Sequence, residues 1–191
     1  MKEKEKLLGD RRKALEEEFF RRENERLAAE MKLRRLAEEA KTQMRGISGI
    51  SDEAVLDKLV ELGIGGETLA AMTLVPLVEV AWADGQMDDK ERDAILKGAE
   101  AQGVERGTPP FALLEDWLVN RPPPRLLAAW REYVGALCDE MLPEDRKKLK
   151  HDVLSRARTV AEAAGGFLGM GNKVSAEEGQ VYAILETAFK V

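Results

Sequence analysis

A chain of 191 residues, 44% hydrophobic and 35% charged, can bury one substantial core and carry an appendage, but it is too short for two large domains. Its formal charge of −6 is unevenly spread: residues 1–45 carry 14 Lys/Arg against 11 Asp/Glu, and the remaining 16 against 25 leave the rest at −9. That balance gives no concentrated basic patch for nucleic acid, one cysteine excludes an internal disulfide or a thiolate metal cluster, and no apolar run reaches the roughly 20 residues of a membrane helix.

The start, Met1-Lys2-Glu3-Lys4-Glu5-Lys6, has no apolar signal core behind it, so a cytoplasmic, soluble protein is expected. β-Branched residues never alternate over a strand length, while Ala, Leu, Glu, Lys and Arg dominate. The expected fold is therefore all-α.

Residues 1–45 read as a long charged helical arm. Leu15 and Phe19 share one of its faces, and Phe20, Leu27 and Met31 share another, without a sustained heptad register. Gly46-Ile47-Ser48-Gly49 is expected to break the helix. Residues 46–65 then form a linker and a short helix, starting at Ser51-Asp52-Glu53 and ending near Gly63. Residues 66–191 read as one helical domain. Its strongest apolar helix runs from Thr68 to Ala83, with a kink expected at Pro76, because proline lacks an N–H and clashes with the preceding turn.

Further helices are expected over Glu91–Gln102, closed by Gly103, and from Thr108-Pro109-Pro110 to Val119. Others follow over Leu126–Leu142, from Pro143 to Ala164, and from about Glu177 to Phe189.

Two segments of this domain share a layout. Ala81-Trp82-Ala83-Asp84-Gly85-Gln86-Met87-Asp88-Asp89-Lys90-Glu91 leads into a helical pattern with Ile95 and Leu96. Gly169-Met170-Gly171-Asn172-Lys173-Val174-Ser175-Ala176-Glu177-Glu178 leads into one with Tyr182, Ile184 and Leu185. Each reads as helix, glycine-containing loop, capping residue, acid three residues later, helix.

In the first copy Asp84, Asp88, Asp89 and Glu91 crowd four carboxylates into eight residues, a composition that suits a hard cation. The run is not an EF-hand loop, since no D-x-[DN]-x-[DN]-G pattern is present. Two roles stay open for Asp84, Asp88, Glu91 and, on the other copy, Glu178: ligands of a divalent cation (calcium, magnesium or zinc), or turn and cap residues. His151, the single histidine, is expected on a solvated helix surface, and Cys138, Trp82, Trp117 and Trp130 in the core. No nucleophile, base and oxyanion set converges, and an enzyme is not expected.

The Asp84-Gly85-x-Met87-x-x-x-Glu91 pattern after an apolar helix resembles the TerB-like (tellurite-resistance) family. The Gly165-Gly166-Phe167-Leu168-Gly169 stretch with Lys173-Val174-Ser175 and Glu178 is similar to that family's second half. Covering about residues 66–191, the resemblance implies a compact helical domain with an internal duplication. It also implies a role in tellurite and general stress responses, with Asp84, Asp88, Glu91 and Glu178 as metal-binding acids. Asn172, where the first copy has Asp84, departs from the acidic pattern. A related domain occurs in membrane-tethered J-domain co-chaperones, but this chain has no His-Pro-Asp tripeptide.

Separately, Asp10-Arg11-x-Lys13-Ala14-x-Glu16-x-x-Phe19-x-x-x-Glu23-x-x-Arg26 resembles the start of the zeta-type ATP synthase inhibitor, which implies a helix that inserts into the catalytic head. The expectation is a non-enzymatic, stress-associated interaction module that meets protein partners through its N-terminal helix. Inhibition of ATP synthase by that helix is the alternative.

Overall fold

The computed structural model describes residues 2–165 and 176–189, with side chains over 16–162 and 177–189. Among the described residues the chain is all-α, with a long N-terminal helix followed by a compact helical region and no strand. The helices are α1 (Lys2–Ser48), α2 (Glu53–Glu61), α3 (Val75–Ala81), α4 (Asp89–Ala101), α5 (Pro109–Val119), α6 (Arg125–Glu140), α7 (Pro143–Gly165) and α8 (Ala176–Ala188). A 3-10 segment, Leu69–Leu74, precedes α3. The chain divides into two compact units, Met1–Ala40 and Lys41–Val191.

The first unit is a single helix. Its described charges pair along its own surface: Arg21 with Glu25 at 2.9 Å, Arg34 with Glu30 at 2.6 Å and Arg35 with Glu39 at 3.4 Å, each at i,i+4 spacing. Such exposed pairs add a few tenths of a kcal/mol each and support a helix without tertiary packing. Phe19, Phe20, Leu27, Met31, Leu33 and Leu36 remain between 44% and 70% exposed on it.

The second unit begins with the last turns of α1. Lys41 is buried, and its Nζ lies 2.9 Å from Asp57 and 3.2 Å from Glu53, so its charge is matched by two carboxylates of α2. Met44 beside it is fully buried. The helix continues through Gly46 to Ser48 instead of breaking there. The break falls at Gly49, whose φ of +76° leaves the helical region. Asp52 caps α2 through the N–H groups of Ala54 and Val55, and Leu56, Leu59 and Ile64 join the main core.

Pro76 does not kink a helix from within. The segment from Thr68 divides into the 3-10 turn and α3, and Pro76 occupies the first turn of α3, where a missing N–H costs nothing. Six of the seven residues of α3 are buried, and it packs against α4, α6, α7 and α8. It is the axis of the core, as a helix apolar on every side must be. The exception is Glu79.

α4 ends in a Schellman motif. Gly103 takes φ +80°, its N–H bonds to Glu100 O at 3.0 Å, and the N–H of Val104 bonds to Ala99 O at 3.0 Å. Pro109 and Pro143 open α5 and α7 at their first positions. Trp130 and Phe189 meet edge to face at 6.1 Å, joining α6 to the end of α8. Cys138 and Trp117 are buried; Trp82 is half-buried with its indole N–H bonded to Trp117 O at 2.9 Å.

Candidate functional site

The acidic loop joins α3 to α4. After Ala81 the chain turns through Trp82 to Gly85, whose N–H bonds to Trp82 O at 3.0 Å and whose φ of +88° favours glycine. Asp84 is exposed, and its Oδ1 accepts the N–H of Gln86 at 2.9 Å, the turn an Asp makes with its own backbone. Asp88 holds extended backbone (φ −82°, ψ 152°), and its Oδ1 accepts the N–H of Lys90 at 2.5 Å. Glu91 Oε2 reaches back to accept the N–H of Asp88 at 3.0 Å. Asp88 and Glu91 form the capping box that the spacing allows.

Glu91 is only 6% exposed. Burial pushes its carboxyl up to about 7; the hydrogen bond from Asp88 N–H pulls it down, and the charges of Asp88, Asp84 and Glu178 push it further up. The half-buried Glu178 of α8 thus shares one electrostatic neighbourhood with the acidic loop of α3–α4. The structure brings the four sequence-predicted acids into one field.

Their oxygens do not converge in the same way. Asp84, Asp88 and Glu91 each commit one oxygen to a backbone N–H, and among the described residues no group of three or more His, Cys, Asp or Glu side chains is arranged to hold a metal ion. As they stand, these residues turn and cap the chain, and they do not form a cation cage. In the second copy, Asn172 and Ser175 lie outside the described residues.

The loop and cap patterns of the sequence do not mark Glu79. It lies one turn before the acidic loop, its Oε1 is buried without a hydrogen-bond partner among the described residues, and burial pushes its carboxyl up to about 7 against the pull of Arg121. The signal is the lone charge in Val75-Pro76-Leu77-Val78-Glu79-Val80-Ala81. Nearby, Arg92 donates to Leu118 O at 3.3 Å while its Nε is buried and unpartnered among the described residues. His151 is exposed on α7, as expected. Among the described residues no helix is long and apolar enough to cross a membrane. No family model, curated protein or solved structure matches the chain.

Proposed function

We propose that this chain is a non-enzymatic, TerB-like interaction module of the tellurite-resistance, stress-associated type, with α1 as its partner-binding arm. The supporting observation is the first unit itself: a helix whose described charges pair with one another while six large apolar side chains stay exposed. Large apolar side chains left in water along one helix support a partner-binding role for it. The acidic loop then serves as a rigid junction that fixes α4 on α3. In cells that lack the chain and are challenged with tellurite, its return should restore survival. Survival equal to the empty-vector control would remove the stress assignment.

A cation enters this reading only as a ligand drawn by the shared negative field of Asp84, Asp88, Glu91 and Glu178, and no step is assigned to it. Calorimetric titration of calcium, magnesium and zinc separates the two roles of the loop. Heat that disappears in Asp84→Ala assigns a cation to it, whereas no heat in either protein leaves cap chemistry alone.

The alternative, inhibition of ATP synthase by the arm, draws support from the unbroken helical backbone from Lys2 to Ser48, the form an inserting element would need. A peptide of residues 1–45 added to purified ATP synthase should then lower ATP hydrolysis; unchanged hydrolysis rejects it.

A further inference from the structure

The charge of the body hides a local reversal. Residues 146–158 carry six Lys/Arg and a single acid, Asp152, within a stretch from residue 46 onward whose balance is −9. Part of this basic run lines a groove of about 620 Å³ shared by α7 and α8. Leu154 and Tyr182, both half-buried at the edge of the core, give it an apolar side. Lys147, Lys150, His151 and Arg158 supply its basic groups, and Glu186 is the one acid lining it.

The three Lys/Arg have acidic neighbours: Lys147 with Glu144 at 3.5 Å, Lys150 with Glu186 at 3.8 Å, and Arg158 with Glu162 at 3.0 Å. Lys147 and Arg158 are more than 60% exposed, and exposed pairs of this kind hold each other weakly enough to exchange for a ligand's carboxylate. At the groove the Tyr182 hydroxyl is buried without a partner among the described residues. The pattern is basic groups, each beside one exchangeable acid, next to a small apolar surface, in a body whose summed charge is negative.

The chemistry selects the occupant. A bare anion would leave Leu154 and the Tyr182 ring uncovered. A flat membrane surface does not enter a recess between two helices, and a nucleic-acid backbone gains nothing from the apolar side. We propose that the α7–α8 groove docks an acidic protein segment. Its carboxylates pair with Lys147, Lys150 and Arg158, and one leucine- or phenylalanine-type side chain packs on Leu154 and Tyr182. Screening limits the reach of the Lys147, Lys150 and Arg158 charges to about 8 Å at physiological salt, so the segment that benefits is one short enough to set its carboxylates directly against them.

The test uses the full chain and a fluorescein-labelled synthetic peptide in which glutamates flank one leucine and one phenylalanine, read by fluorescence anisotropy. Saturable binding is expected, weakened about tenfold or more by the double charge reversal Lys147→Glu/Arg158→Glu, as for loss of two charge-assisted contacts. Replacing both apolar peptide residues by serine should weaken it about fivefold or more, as for loss of a buried apolar side chain. Lys97→Glu, an exposed lysine on α4 outside the groove, should leave binding unchanged. Circular dichroism checks that each variant folds.

No binding by the wild-type chain overturns the proposal, as does equal binding by the double variant or an equal loss in Lys97→Glu. A serine peptide that binds as tightly as the apolar one also overturns it. So does displacement of the peptide by oligothymidine or phosphatidylserine vesicles at lower concentration than by unlabelled peptide.

Discussion

Glu79 sits where a charge is least welcome, in the middle of the helix that forms the axis of the core, with Oε1 buried and unpartnered among the described residues. Its carboxyl is raised to about 7, chiefly by burial. A carboxyl raised in the folded state binds its proton more tightly there than in the unfolded chain. Its contribution to stability is therefore complete below the unfolded value near 4.5 and is lost as pH rises through about 7. Glu79→Gln removes this loss. In urea titrations it should match the wild type near pH 4 and exceed it by about 2 kcal/mol at pH 8.

Glu91 offers a second residue-level test. Glu91→Ala removes the acceptor of Asp88 N–H and should cost about 1 kcal/mol in thermal melts, whereas Glu91→Gln keeps an acceptor and should cost less. The spacing of Asp88 and Glu91 made the cap legible in the sequence, because a capping box is a local pattern. The burial of Glu79 was not legible: one charge in an apolar run also fits a helix with one face in water, and only the helices packed around α3 decide between them.

At the level of elements, the helices follow from caps and breakers that lie close in sequence. Asp52, Asp88, Pro109, Pro143 and Gly103 stand at the ends their chemistry predicts. The two departures have one cause. Gly46 and Pro76 are residues whose effect depends on what surrounds them. Gly46 is carried inside α1 by a last turn whose Lys41 and Met44 are buried, and Pro76 is placed at a helix start by the 3-10 turn before it.

Close packing also gives Gly66 a role that its sequence does not announce. A Cβ there would lie 2.5 Å from Gln43 Cβ, an atom that cannot swing aside. Gly66→Ala should destabilise the body by about 1–3 kcal/mol in chemical denaturation, as overpacking does. An unchanged midpoint would mean that the end of α1 and the loop at Gly66 do not meet as described.

The molecule divides into a compact helical body and a helix with its own ion pairs. A chain of residues 41–191 should melt cooperatively at the midpoint of the full chain, by circular dichroism. A chain of 50–191, lacking buried Met44 and the ion pairs of Lys41, should lose several kcal/mol, about the effect of emptying one core site and breaking a buried charge contact. The all-α class and the arm were legible in composition and period. The basic stretch of α7 was hidden because charge summed over a domain averages it away, and its groove with α8 is a tertiary feature.

The measurement that bears most directly on the arm as the working surface is rescue from tellurite by the triple variant Phe19→Ser/Phe20→Ser/Met31→Ser, expressed to the level of the wild type. All three side chains are more than 60% exposed, so the body's melting should be unchanged. The expected result is survival at the level of cells lacking the chain, while the wild type rescues. Rescue by the variant equal to that by the wild type would contradict a partner-binding role for α1.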